Sequence, residues 1–346
     1  MSDIQPKRLV VFGATGNLGQ QLIEKLAESN WPIFELIGVA SSDSAGSEFE
    51  FRGEMLDVTS EWPTLKGRDF VFICTPRSEA LEVVREALRA EVPCIDCSGA
   101  LADQDVRMPA PISMSQSTTD GDAEAAIKTA PLLGVPAGTT LAWATVLEAL
   151  SVSRVVGTVL CSSSALGQKG VAALSGESIA LFNQSDVPEA GPAGQFVAFD
   201  VVPGGGIDSD RVRGELQRLF GSGLSVDLAS VQVPTFVGEG SSLSLTLSAP
   251  LAREAVEARL AAIDGVTLMQ DGFGSRGLAS VDEAVEAPIG PTLRDAIGVD
   301  EILIGRIEAD ASQPVGEGWR LWLAYDPIRL TSEQVLNLAR RRLGLP

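Results

Sequence analysis

Seven residues near the N-terminus constrain this chain most. Gly13-Ala14-Thr15-Gly16-Asn17-Leu18-Gly19 lies between the apolar run Leu9 to Phe12 and a stripe formed by Leu18, Leu22, Ile23 and Leu26. A short apolar run bounded by charge and glycine is the pattern of a strand buried on both faces. The stripe repeats with the 3.6-residue period of a helix, leaving Glu24, Lys25 and Glu28 for solvent. Glycines at such a turn let the backbone reverse tightly and approach a pyrophosphate, and the helix N-terminus adds N–H groups and partial positive charge. The spacing alone also suits a purely structural turn. Its place at a strand end and a helix start favours dinucleotide binding by Gly13, Ala14, Thr15, Gly16, Asn17, Leu18 and Gly19.

The alternation continues along the chain. Glu35 to Ala40, Phe70 to Cys74 and Val92 to Ile95 read as strands, and Ser78 opens a helical pattern through Leu81, Val84 and Leu88. Strands alternating with helices predict a doubly wound parallel sheet, an α/β Rossmann-like NAD(P)-binding domain. Asp, Pro, Ser, Thr and Gly dominate from Asp103 to Asp122, a composition suited to a loop, and a domain boundary is expected near there. Beyond it, strands are expected at Arg154 to Cys161, Phe196 to Val202, Ala229 to Phe236, Ser242 to Leu247, Ile302 to Ile307 and Arg320 to Tyr325. Helices at Val212 to Phe220 and Ala252 to Ile263 separate some of them, predicting an α+β domain around a largely antiparallel sheet. The expected division is 1–130 for the first domain, 131–328 for the second and 329–346 for a C-terminal helix, Ser332 to Arg342, returning to the first.

Composition excludes several functions. With 26 Lys and Arg against 46 Asp and Glu, the net charge of −20 repels phosphate backbones and anionic lipid, so neither nucleic acid nor a membrane is an expected partner. No apolar run is long enough to span a bilayer, and Met1 to Arg8 lack the apolar core of a signal peptide, so a cytoplasmic location is expected. There is no histidine in the chain. That removes the commonest general base, every Ser-His or Cys-His nucleophile pair and every imidazole metal ligand. Cys94-Ile95-Asp96-Cys97 has half-zinc spacing, but no second such pair exists to complete a site, and no metal is expected. The simpler reading is a buried strand with Cys97 in the turn after it.

After the second strand comes a serine-rich stretch containing Ser41, Ser42, Asp43 and Ser44. An acid about 20 residues beyond a glycine fingerprint normally takes the ribose hydroxyls of NAD, and Asp43 is placed to do so. Its charge would also repel a 2′-phosphate. Composition allows equally a solvated Asp in a turn.

Taken together, Gly13 to Gly19, the Ser-Ser-x-Ser-Ala-Gly stretch, Asp96-Cys97-Ser98-Gly99-Ala100, Ser164 with Gly167 and Gly170, Val233-Pro234, Val237 to Ser242 and Gly305-Arg306-Ile307 resemble the aspartate-semialdehyde dehydrogenase family in order and spacing. The chain is most similar to the Usg-type branch, relatives whose catalytic residues are not retained. The resemblance implies a second domain for substrate and dimerisation, a homodimer, and NADP-dependent reductive dephosphorylation of an aspartyl phosphate through a cysteine thioester. Matching residues by position, the nucleophile segment falls on Pro136-Ala137-Gly138-Thr139-Thr140, with Gly138 where the thiol should be. The substrate-carboxylate segment Arg-x-Pro falls on Gln232-Val233-Pro234, the catalytic histidine on Glu239 and a phosphate-binding arginine on Ala102. In the cofactor loop, the expected arginine is Asp43. The serines fit the family's NADP site and Asp43 opposes it, so NADP and NAD both stay open.

The resemblance therefore implies a dinucleotide-binding protein with no intact catalytic residues and a binding or assembly role. The alternative is an active oxidoreductase on another aldehyde, with Glu239 as base. Cys161, three residues before Ser164, is a conceivable substitute thiol if Lys169 or the helix-like stretch after Gly170 lowered its pKa. An inert buried cysteine is the simpler expectation.

Overall fold

The computed structural model describes residues 5–44, 46–101, 121–186, 189–269 and 290–345. Ala102 and most of the Asp103 to Asp122 stretch lie outside them. The chain divides into two compact units, residues 1–141 with 328–346, and residues 142–327.

The first unit is built on β1 (Lys7–Phe12), β2 (Ile33–Val39), β3 (Glu48–Phe51), β4 (Glu54–Thr59), β5 (Phe70–Ile73), β6 (Cys94–Asp96) and β7 (Leu132–Gly134), in the sheet order β3-β4-β2-β1-β5-β6-β7. All neighbours run parallel except β3 and β4. Side chains alternate across a strand, so β1 serves two cores. Leu9 and Val11 pack with Leu22, Ile23 and Leu26 of α1 (Asn17–Glu28), while Val10 and Phe12 pack with Ala80, Val83 and Ala87 of α2 (Arg77–Arg89). Helices on both faces are what a parallel sheet needs, and the doubly wound arrangement read from the alternating pattern is the one observed. Because β7 closes this sheet, the first sheet runs past residue 130, where the division was expected.

The β3–β4 hairpin was not expected. Its strands are short and rich in Glu: β3 alternates Glu and Phe over only four residues and β4 does not alternate, but the connecting Arg52 and Gly53 both have positive φ, 52° and 85°, which matches the right-handed twist of a hairpin. The Arg52 guanidinium then donates to the carbonyls of Leu26, Ser29 and Trp31 at the end of α1. Such donors satisfy helix-end carbonyls and complement the dipole.

The second unit carries β8 (Val152–Cys161), β9 (Val202–Pro203), β10 (Ser225–Gln232), β11 (Glu239–Leu247), β12 (Val266–Leu268), β13 (Ile302–Ala309) and β14 (Gly318–Tyr325), in the order β12-β13-β14-β11-β8-β10-β9. The sheet is mixed: β8 and β10 pair in parallel, as do β12 and β13, and the other neighbours are antiparallel. The expected strand at Phe196 to Val202 is not one, apart from Val202 itself. The N–H groups of Val197 and Ala198 donate at 2.8 and 2.9 Å to Glu177 Oε2, so a buried carboxylate takes the bonds a ladder would need. The strand expected at Ala229 to Phe236 ends instead at Gln232, before Val233-Pro234.

After α3 (Gly121–Thr129), α4 (Gly138–Leu150) was also missed, whereas α5 (Gly167–Phe182) contains the helix-like stretch read after Gly170. Nearly every residue of α4 is buried, so it is apolar all round and shows no amphipathic stripe to read. Its Trp143 indole donates to Ser241 Oγ at 2.9 Å, and Ser241 Oγ lies 2.9 Å from Tyr325 OH, a fully buried chain of hydrogen bonds. The remaining helices are α6 (Ser209–Phe220), α7 (Arg253–Ala261) and α8 (Pro327–Leu343). Among the described residues no helix is long and apolar enough to cross a membrane.

Candidate functional site

The glycine turn lies where β1 ends and α1 begins. Gly13 has φ +83°, and a Cβ there would stand 2.5 Å from the Cys74 carbonyl oxygen. A Cβ on Gly19 would stand 2.1 Å from the Gly13 carbonyl oxygen. Both positions are closed to any side chain. Gly16 differs: its φ of −74° is ordinary, the residue is exposed, and a Cβ would meet only the Gly13 oxygen at 3.4 Å. Packing does not require glycine there, whereas a ligand backing onto the turn would. Gly16 is also the N-cap of α1 and has no side chain to occupy the helix N-terminus. Ala14 is buried, Leu18 packs on the α1 core, and Asn17 opens the helix.

Two further features meet this turn. Gly13 and Ala14 N–H donate to the Val39 carbonyl at 2.8 and 3.1 Å, which brings the end of β2 against it. The short helical turn Ser42–Ser44 follows, and Thr15 Oγ1 donates to Ser44 Oγ at 3.3 Å. Ser41, Ser42 and Asp43 are exposed beside it. The sequence marked this loop for the ribose of a dinucleotide, and the loop lies against the glycine turn. The sequence missed Thr75, which follows β5: its amide nitrogen lies 2.9 Å from where a Gly13 Cβ would be, and its buried Oγ1 has no hydrogen-bond partner among the described residues. An orphaned hydroxyl beside a glycine cradle fits a bound nucleotide, since buried polar atoms are ordinarily paired. No pattern in the sequence marks a lone threonine at a strand end.

The Asp96 to Ala100 stretch forms a closed turn. Asp96 Oδ1 accepts from Ser98 N at 3.0 Å and Ser98 Oγ at 2.6 Å, and Arg77 donates to the Gly99 carbonyl at 2.8 Å. Cys94 lies in the buried strand and Cys97 is buried just after it. Burial, aided by the Asp96 charge, pushes the Cys94 thiol up to about 12. It is a packing group.

Gly138 is the first residue of α4. A helix N-terminus stabilises a thiolate, but this position has no sulfur. In the second unit Cys161, Gln232 and Glu239 are at one level of the sheet: Cys161 on β8 pairs in register with Gln232 on β10 and with Glu239 on β11. All three are buried. The Cys161 thiol is pushed far up by burial and further by the Glu239 charge, opposite to the lowering that Lys169 or α5 was to provide. A thiolate is disfavoured at this position. Gln232, where the resemblance led to an arginine being expected, has no hydrogen-bond partner for its Oε1 or Nε2 among the described residues. Ser164 accompanies Ser162, their hydroxyls 3.0 Å apart, at the mouth of α5.

Comparison with known proteins agrees with this geometry. Residues 8–137 match the semialdehyde dehydrogenase NAD-binding domain family. The aspartate-semialdehyde dehydrogenase of Synechocystis sp. is 26% identical over 97% of this chain and 98% of its own. A Pseudomonas aeruginosa protein called a USG-1 protein homolog is 27% identical over 94% of each chain. The solved structure of a probable aspartate-semialdehyde dehydrogenase from Pseudomonas aeruginosa superimposes with a TM-score of 0.83 at 25% identity, covering 97% of this chain and 98% of that one. With an NAD-binding domain of this type, a second mixed-sheet domain and similarity along its length, the chain is similar to aspartate-semialdehyde dehydrogenases in sequence and fold.

Proposed function

We propose that this chain binds a nicotinamide dinucleotide in its first unit, does not perform thioester chemistry, and serves a binding or assembly role as a homodimer. One observation carries the reading: 346 residues contain no histidine. Gly138, matched by resemblance to the nucleophile, supports it, as do Cys94 and Cys161, whose surroundings disfavour the thiolate. Loss of a covalent nucleophile commonly leaves only about 10³- to 10⁴-fold catalysis over water.

The groups present fit a dinucleotide. Gly13, Gly16 and Gly19 with the α1 N-terminus would hold the pyrophosphate, and Ser41 to Ser44 would border the ribose. The nicotinamide ring, when bound, supplies a hydride acceptor or donor. Asp43 opposes a 2′-phosphate, so NAD is the tighter ligand in this reading.

Incubating the purified chain with aspartate semialdehyde, phosphate and NADP or NAD is expected to give no turnover at family rates, and such turnover would overturn the reading. Paired titrations follow tryptophan fluorescence. Trp62 is the natural reporter, because its ring packs edge-on at 5.1 Å against Phe12, the residue before Gly13. Light scattering tests the dimer, and a monomer would remove that part.

A further inference from the structure

The second unit holds a buried carboxamide left unbonded by the described residues. Gln232 is 1% exposed at the end of β10, and neither its Oε1 nor its Nε2 has a hydrogen-bond partner among them. Burying a primary amide without partners is costly, and an apolar side chain of the same length would fill the space without that cost. Its neighbours are specific. Cys161 lies beside it in register, and Glu239 stands on the other side of Cys161, so the three side chains share one face at one level. Gly204-Gly205-Gly206 covers that face with three consecutive positive φ angles, +80°, +81° and +76°. A Cβ on Gly206 would stand 2.5 Å from Cys161 Cβ and 3.2 Å from Gln232 Oε1, whereas a Cβ on Gly204 would meet nothing within 4 Å. The loop brings bare backbone against the pair at one end and opens at the other.

We propose that Gln232 is a ligand-recognition residue whose subsite takes the neutral carboxamide group of a small molecule. A carboxamide carries an acceptor oxygen and a donor NH₂ side by side, so it pairs with Oε1 and Nε2 at once. A carboxylate offers acceptors only. It would bond Nε2, set its lone pairs against Oε1, and stand near the Glu239 carboxylate, whose charge already reaches Cys161. The inference rests on the binding role proposed above and names its ligand class, but it needs neither turnover nor a bound nucleotide.

The test uses the full chain, with calorimetric or saturation-transfer titration of propionamide and L-asparagine against propionate and L-aspartate. Each amide is expected to bind about tenfold or more tightly than its carboxylate partner. Gln232→Met should abolish the difference without lowering Tm, because no hydrogen bond is lost, and Gln232→Arg should reverse the preference. Equal binding, a carboxylate preference, no binding of either amide, or a Tm drop in Gln232→Met would each overturn the proposal. NAD titration of the same samples separates the two readings. Normal NAD binding without amide preference sinks only this inference, and amide preference without NAD binding sinks only the nucleotide half of the proposed function.

Discussion

At the scale of single residues, the glycine turn separates what the fold needs from what a ligand needs. Alanine at position 19 would drive a methyl group into the Gly13 carbonyl. Gly19→Ala is expected to lose about 1–3 kcal/mol of stability, the range for overpacked sites, in denaturant unfolding. Gly16→Ala should cost about 0.5–1 kcal/mol, the N-cap preference for Gly over Ala and less than the Gly19 loss, yet weaken dinucleotide binding. Wild-type affinity in that variant would mean that no pyrophosphate approaches Gly16. Asp43→Arg replaces an exposed repelling charge by an attracting fork and should shift the nucleotide preference toward NADP, read by the same paired titrations.

At the scale of elements, the β13–β14 connection is held by one carboxylate. Asp310 accepts from Ser312 Oγ at 2.7 Å, Ser312 N at 3.0 Å, Gln313 Nε2 at 3.2 Å and Ser244 Oγ at 3.0 Å. The Ser312 hydroxyl first, then its backbone N–H, hold the Asp310 pKa down to about 2 from 3.8. A depressed acid stabilises the folded state above its unfolded pKa, so this contribution is present at neutral pH, fades below about 4 and is gone once pH falls through about 2. The site is solvated, which limits its worth. Asp310→Asn should cost about 1 kcal/mol at pH 7 and clearly less at pH 2, where the carboxylate is about half protonated, measured by unfolding at the two pH values. Ser244 on β11 reaching Asp310 shows why the loop was illegible in sequence: its partner is 66 residues away.

At the scale of the whole molecule, the first unit depends on the far end of the chain. Val335, Leu338 and Ala339 of α8 pack in the same core as Leu22 and Leu26 of α1, and Lys25 Nζ meets Glu333 Oε2 at 3.0 Å. Leu338 is 1% exposed, and Leu338→Ala should cost about 2–5 kcal/mol by the measure of buried leucines. Because that core backs α1, whose N-terminus carries the glycine turn, dinucleotide binding should fall with it. Thermal unfolding with and without NAD checks both effects.

The sequence by itself determined the central parallel strands β1, β2, β5 and β6 and the place of the glycine turn, because buried parallel strands and a strand-to-helix reversal are local patterns of apolar run, period and glycine. It also determined that no imidazole serves any step, since composition needs no coordinates. Tertiary structure alone decided the rest. Cys161, Gln232 and Glu239 come together only through strand register, and the orphaned amide of Gln232 is defined by what surrounds it. The nearly wholly buried α4 carries no amphipathic stripe and the alternation of β3 lasts only four residues, so packing and a positive-φ turn, rather than local pattern, fix them. A chain's periodicity records which faces are buried, but not which distant side chains leave a polar group unpaired.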